Sequence, residues 1–351
     1  MGQPKVGLDW MVCEDMGWGV IGVYLLRAFA ALGVDPRFWL AGNTPADLAP
    51  YHLERAGYFR GTMLRASGNR LLHSSLWAQV PADRNIMLPI FEDLTTLDAK
   101  SLTRVREYDA VVTFCQWNHD VLAAHGIPST VIHQGVDFGI FHPRTNPKPA
   151  GPPRVFSGGK LEYRKGQDIT IAAFKQLLHS HPDAVLVTAW HNYWPHLIAE
   201  LLTSGLVGTV PADTTADSLT SWLVAEGIPA ANQEHHRVPN GPRMADLIRS
   251  CDVAVFPSRA EGATNLPAVE CVACGVPTLI TAATGHLDLT NAYWVMGRPN
   301  GQRPEWVDLI PEHLAEVMAD TMGRAPTYPP LDPNAWSWDQ MARAFLPLLS
   351  A

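Results

Sequence analysis

Two glutamates, Glu261 and Glu270, bracket the stretch where chemistry is most concentrated, VAVFPSRAEGATNLPAVECVACGVPTLI, residues 253–280. Val253 to Ser258 is a short apolar run that reads as a strand. Arg259 to Asn265 is a polar loop containing glycine. Pro267 suits the first turn of a helix, where its missing N–H costs nothing. Gly275 suits the left-handed residue after the last turn, and Val276-Pro277 leads into another strand. The helix therefore opens at the carboxyl end of a strand, where open α/β sheets bind ligands. Its free N–H groups and dipole favour an anion. Carboxylates do not serve that anion, but they accept hydrogen bonds from hydroxyls on either side of it. An anion flanked by polyols describes a nucleoside diphosphate sugar. The competing reading is two solvated glutamates on a capped helix. It leaves the loop, the Asn265-Leu266-Pro267 turn and Gly275 to coincidence.

Cations gather in KLEYRKGQD, residues 160–168, as Lys160, Arg164 and Lys165. A strand, Arg154 to Ser157, and Gly158-Gly159 come before them. An amphipathic helix follows, with Ile169, Ala172, Phe174, Leu177 and Leu178 inward. Charge runs are ordinarily solvated faces. At a strand-to-helix turn the same run offers fixed positive charge to a pyrophosphate. GWGVIG, residues 17–22, follows a first strand, Lys5 to Val12, and opens an apolar helix. Alone this is a weak dinucleotide signal, and the acid expected after the second strand, Arg37 to Ala41, is absent. Close packing of helix on sheet explains these glycines almost equally well. Cys271 and Cys274 have metal or redox spacing, but no second pair accompanies them, and buried packing thiols are the favoured reading. His235-His236 lacks partners at ligand spacing, and there is no Asp-x-Asp motif.

The stretch 253–280 resembles the signature of family 4 retaining glycosyltransferases of the GT-B fold. That signature is a Glu, a glycine-containing loop ending in Leu-Pro, and a second Glu leading into Ala-Cys-Gly-Val-Pro. Here Ala263-Thr264-Asn265 makes the loop one residue longer than the common spacing. HQGVDFGIFHP, residues 133–143, resembles the family's Gly-Val-Asp-x-x-x-Phe-x-Pro segment through Gly135, Val136, Asp137, Phe141 and Pro143. In the cation run, Lys165 stands at the family's Lys and Lys160 at its Arg, keeping the charge but losing bidentate geometry.

The resemblance implies roles residue by residue. Glu261 would bond donor-sugar hydroxyls and Glu270 the ribose hydroxyls, with the backbone around Gly262, Ala263, Thr264, Asn265 and Leu266 near the phosphates. Lys160 and Lys165 would hold the departing diphosphate, with Gly159 and Arg164 on the donor side. Arg164 also has Glu162 as a plausible surface partner. Val238 and Pro239 would flank the nucleobase, and Gly17 and Gly19 would let the backbone approach the donor. Glu92, with Asp93, is the candidate for the acceptor side; Asp93 or Thr95 as a helix cap is the plainer alternative. His73 and Trp77 either face the site or pack.

The resemblance implies that the elements positioning these residues form an α/β chain of GT-B type, two Rossmann-like domains facing a central cleft. The expected limits are an N-terminal acceptor-side domain over 1–143 and a proline-rich linker over 144–153. A nucleotide-sugar-binding domain over 154–333 and a C-terminal helix over 334–351 that crosses back to the first domain complete the chain. Residues 43–85 are hard to read, with helical fragments at Ala46 to Ala56 and Leu71 to Val80. A hydrophobic content of 47% with 17% charged residues allows two sizeable cores. A net charge of −8 argues against nucleic acid as a partner. No apolar run spans a bilayer and the N-terminus lacks a signal pattern, so a cytoplasmic protein is expected, with peripheral membrane contact left open. No cofactor or metal is expected beyond the donor substrate. The acceptor would be a glycan, a lipid-linked or a small-molecule hydroxyl, and the oligomeric state is open. A nicotinamide-dependent oxidoreductase and a non-catalytic nucleotide-sugar binder are the other readings.

Overall fold

The structure, a computed structural model, describes residues 3–54, 57–72, 80–146, 148 and 150–349. The chain divides into two compact units. The first is Met1–Asp137, Gly262–Leu266 and Asp332–Ala351; the second is Phe138–Glu261 and Pro267–Leu331.

In the first unit, strands β1 (Lys5–Val12), β2 (Asp35–Ala41), β3 (Phe59–Ser67), β4 (Ala82–Pro89), β5 (Ala110–Thr113) and β6 (Thr130–Val131) form one sheet. Its order is β2-β1-β3-β4-β5-β6, with parallel pairing throughout. Helices α1 (Gly17–Ala31), α2 (Ala99–Val105) and α3 (Gln116–Ala124) lie between strands. Val6, Leu8, Trp10 and Val12 alternate into the core beneath α1, the period of a sheet face.

β3 lies in the region hard to read from sequence. Thr62 and Arg65 interrupt its apolar run, yet both are buried. Arg65 is carried inward because Nε donates to Asn85 Oδ1 at 2.8 Å and the guanidinium lies 3.8 Å from Asp9. The expected helix at Ala46 to Ala56 is a short 3₁₀ turn, Ala46–Tyr51, containing Pro50. Most of Leu71 to Val80, with His73 and Trp77, lies outside the described residues.

The second sheet is built from β7 (Arg154–Lys160), β8 (Val185–His191), β9 (Gln233–His235), β10 (Val253–Phe256), β11 (Thr278–Thr281) and β12 (Tyr293–Val295). Its order is β12-β11-β10-β7-β8-β9, again parallel. Its central strands are buried on both faces, as a sheet covered by helices requires. Those helices are α4 (Gln167–Ser180), α5 (Ala216–Ala225), α6 (Pro242–Arg249), α7 (Leu266–Ala273) and α8 (Pro311–Thr321). A two-stranded ribbon, β13 (Arg298–Pro299) and β14 (Val307–Asp308), lies beyond β12 in the chain. Chain order reverses between β7 and β10, so the loops after these strands meet at a topological switch point.

Two further helices, α9 (Pro333–Trp336) and α10 (Trp338–Leu349), belong to the first unit. Trp338, Met341, Ala342, Phe345 and Leu349 form the buried stripe of α10. Trp338 stacks on Tyr24 at 5.1 Å, and Phe345 meets Phe29 edge-on. Gly135 lets the chain pass: a Cβ there would strike the backbone of Trp338, while Val136 N–H donates to Trp336 O at 2.7 Å.

Candidate active site

The turn after β7 and the loop after β10 are joined by charge. Lys165 Nζ donates to both oxygens of Glu261, at 2.8 and 2.9 Å. Arg164 spans two carboxylates, Nη1 to Glu261 Oε2 at 2.9 Å and Nη2 to Glu162 Oε1 at 2.6 Å. Lys160 Nζ reaches the other oxygen of Glu162 at 2.7 Å. Cations and carboxylates thus alternate along one line: Lys160, Glu162, Arg164, Glu261, Lys165. Burial pushes the Glu261 carboxyl upward, but Lys165 and Arg164 outweigh it and hold the group ionised, well below the usual range. The Glu162 carboxyl is lowered the same way against its own burial, by Arg164 and Lys160.

The turn is held in shape from beneath. Gly166 has φ 72°, and a Cβ there would strike Pro257 O. Arg259 is fully buried, with Nη1 and Nη2 on the two oxygens of Asp168 at 2.9 and 2.7 Å and Nε on Asp308 at 2.6 Å. Its backbone N–H donates to Arg164 O at 2.7 Å. Asp168 sits in the first turn of α4, where a negative charge also suits the helix dipole. One guanidinium therefore ties the cation turn, the start of α4 and β14 together.

Glu270 sits on α7 with a different environment. Burial raises its carboxyl to about 8, and only the amide of Asn240, which donates to it, opposes the rise. At neutral pH Glu270 is therefore mostly protonated and able to donate as well as accept. The two glutamates of one signature are driven apart, Glu261 ionised and Glu270 neutral. His286 lies 4.0 Å from Glu261, and burial lowers it to about 4, so it is a neutral imidazole there. Thr284 Oγ1 accepts from Glu261 N–H at 2.8 Å and fixes the backbone.

The structure thus brings together Lys160, Arg164, Lys165 and Glu261. Glu162, Arg259 and Asp168 complete the arrangement; Glu162 is expected from sequence only as a surface partner of Arg164, and Arg259 and Asp168 carry no sequence signal, because they lie far apart along the chain. Arg164 is corrected in one respect. Its side chain is 14% exposed and its partner Glu162 is 8%, so the pair is not a surface one. Glu270 joins the loop of Val238 and Pro239 through Asn240, while Pro239 itself is exposed. Gly159 has φ 110°, with no atom near where a Cβ would stand.

Gly262 to Leu266 belong to the first unit. Gly262 O accepts from Cys115 Sγ at 3.3 Å, Ala263 and Leu266 join the first core, and Thr264 is buried. Asn265 has φ 64°, a left-handed conformation Asn tolerates. Glu92 is also in the first unit, after β4, its N–H bonded to Asn69. Asp93 caps the next turn by accepting from Thr95 N–H at 3.0 Å. A Cβ on Gly19 would strike Cys13, which makes that glycine a packing residue, whereas Gly17 faces open space. Cys271 and Cys274 are buried free thiols, both pushed up by burial. Among the described residues no group of side chains is arranged to hold a metal, and no helix is long and apolar enough to cross a membrane.

Residues 140–296 match the family of glycosyl transferases group 1. D-inositol 3-phosphate glycosyltransferase 1 of Catenulispora acidiphila is 32% identical over 165 residues, 44% of this chain and 35% of that protein. Glycogen synthase of Mycobacterium tuberculosis is 28% identical over 201 residues, 52% of this chain and 39% of that protein. The match thus spans little more than a third of the length of these curated relatives. Among solved structures, a glycosyltransferase of Rickettsia africae has a TM-score of 0.66 at 12% identity, covering 99% of this chain and 98% of that one. Anabaena HepE in complex with UDP and glucose has a TM-score of 0.60 at 12% identity, covering 98% and 94%. At such identities the likeness is one of fold, and that fold is GT-B. The segment that builds the second sheet and its charged turn therefore matches the glycosyl transferases group 1 family, in a chain of GT-B fold.

Proposed function

We propose that the chain transfers a hexose-type sugar from a nucleoside diphosphate sugar to an acceptor hydroxyl, with retention of anomeric configuration and without a metal. One observation carries this reading. Three cations from the end of β7 and the turn after it, and an ionised carboxylate from the loop after β10, converge at a topological switch point, next to a helix that starts at Leu266. That combination suits an anion with a polyol attached. The UDP and glucose bound by Anabaena HepE support the same donor class, and the name of the D-inositol 3-phosphate relative supports glycosyl transfer.

In the proposed reaction the bond between the anomeric carbon and the phosphate oxygen breaks, and its electron pair leaves with the diphosphate. The acceptor oxygen bonds the same carbon on the same face and gives its proton to the leaving phosphate oxygen. Lys160 and Lys165 hold the growing negative charge, and Glu261 orients sugar hydroxyls. Preorganised charge of this kind is usually the largest catalytic contribution. The acceptor class is a glycan, lipid-linked or small-molecule hydroxyl.

Calorimetric titration with UDP and GDP sugars, with and without chelator, tests the donor. Binding is expected in both conditions. Loss of all binding in chelator overturns the metal-free reading, and no binding of any nucleotide sugar overturns the donor class. A donor that binds without turnover on any acceptor class would leave a non-catalytic binder. A product of inverted configuration by NMR overturns retention.

A further inference from the structure

The loop after β8, His191-Asn192-Tyr193-Trp194, carries side chains that the proposed function leaves unused. Register pairs Lys160 with His191, so this loop stands beside the cation turn. Its backbone is fixed: Asn192 Nδ2 donates to Leu161 O at 2.7 Å, and Asn192 Oδ1 accepts from Trp194 N–H at 2.7 Å. Even so anchored, Tyr193 and Trp194 are each 44% exposed. Their ring centroids are 6.2 Å apart at 79°. The Trp194 face carries Lys160 Nζ at 5.3 Å, and the Tyr193 face carries the Arg237 guanidinium at 5.9 Å. Cation–π contacts of this kind orient the rings without covering them. Two large rings held half in water by a fixed backbone, beside a charged site, form a contact surface for a ligand.

Their position selects the part of the ligand. In the order β10-β7-β8-β9, the cations after β7 lie between Glu261 on the β10 side and the aromatic pair on the β8 side. In a nucleoside diphosphate sugar the diphosphate is the middle group. With sugar hydroxyls at Glu261, the nucleoside extends toward β8. The loop after β9 borders the same path, with Arg237 over Tyr193 at one end and Asn240 on Glu270 at the other. A flat heteroaromatic base offers a π-face to such rings whatever its identity.

We propose that Tyr193 and Trp194, with Arg237 behind Tyr193, form the wall for the base of the bound nucleotide, one ring against its face and the other, nearly perpendicular, against its edge. The assignment rests on the nucleotide-sugar reading. It gives the base side-chain contacts on the β8 loop, in addition to the flanking Val238 and Pro239 that the resemblance implies. Lys160, shared by Glu162 and the Trp194 face, links the base wall to the diphosphate.

Titration of the full chain with UDP, GDP, ADP and dTDP, and separately with inorganic pyrophosphate, tests this. Tyr193→Ala and Trp194→Ala are each expected to weaken the preferred nucleotide by roughly tenfold or more. Tyr193→Ala should leave pyrophosphate affinity within about twofold, and Trp194→Phe should keep most nucleotide affinity. Both positions are half exposed, and an unchanged melting temperature checks that each variant is folded. If both alanine variants bind nucleotide as tightly as the parent, the wall is overturned while the donor reading stands. If Trp194→Ala weakens nucleotide and pyrophosphate equally, Trp194 only holds Lys160 and the stacking role is wrong. A parent protein that binds none of the nucleotides overturns both the wall and the donor reading.

Discussion

Lys165 is already bonded to both oxygens of Glu261, so in the proposed reaction the diphosphate would share a cation that a carboxylate holds in place. Holding the ammonium still is what a preorganised charge requires, because charge on the leaving oxygen grows only as the bond breaks. Lys165→Ala is therefore expected to lower turnover by roughly two to three orders of magnitude, with a smaller effect on donor affinity. Single-turnover kinetics beside donor titration separates the two. Arg164→Ala is expected to be harmful as well, since it takes a partner from both Glu162 and Glu261. Glu270 gives a pH prediction. Its carboxyl is raised to about 8 in the folded chain, against the ordinary 4.5 when unfolded. Between these values the folded state keeps a proton that the unfolded state has lost, so stability from this group is full in acid and falls as pH rises toward 8. Glu270→Gln, which mimics the protonated form, should flatten that part of the melting temperature profile measured from pH 5 to 8.

At the scale of elements, the charged turn depends on Arg259 and Asp168, which join the loop after β10 to the start of α4. Both side chains are buried, so removing one leaves the other as an uncompensated charge. Arg259→Met is expected to cost about 3–5 kcal/mol of stability in urea unfolding. Arg259→Met with Asp168→Leu should recover much of that loss, because the carboxylate left without Arg259 is then Asp308, which is partly exposed and keeps its bond from Asn300. The start of α1 offers a sharper contrast. Gly19→Ala drives a methyl group into Cys13, whereas Gly17→Ala meets nothing. A loss of about 1–3 kcal/mol is expected for the first, from overpacking, and little for the second. Equal losses would show that α1 is restrained by something other than this contact.

At the scale of the whole molecule, the end of the chain is part of the first unit. α10 covers α1 through the Trp338–Tyr24 stack, and Thr62 Oγ1 donates to Leu349 O at 3.0 Å. The first core is thus completed by residues more than three hundred positions away from the strands that begin it. Trp338→Ala should cost about 3–5 kcal/mol by leaving a cavity at that contact. Denaturant unfolding followed by the fluorescence of the remaining tryptophans measures it.

What the sequence by itself determined is local. Gly275 at φ 71° after α7, Pro267 at its start, the inward Ile169, Phe174 and Leu177 of α4 and the α/β alternation follow from backbone sterics and from periodicities of 3.6 and 2. The GT-B resemblance was legible for the same reason, since its motifs are short loops whose turn chemistry is written in consecutive residues. β3 was not legible, because the apolar pattern counts Arg65 as exposed and Asn85 and Asp9 are supplied only by neighbouring strands. The opposite states of Glu261 and Glu270 were not legible either. Each glutamate looks alike in sequence, and its proton is decided by what surrounds it: Lys165 and Arg164 in one case, apolar burial beside Asn240 in the other. Only the parallel order that sets β7 beside β10 brings those cations to Glu261, because electrostatic interaction depends on distance in space and not along the chain.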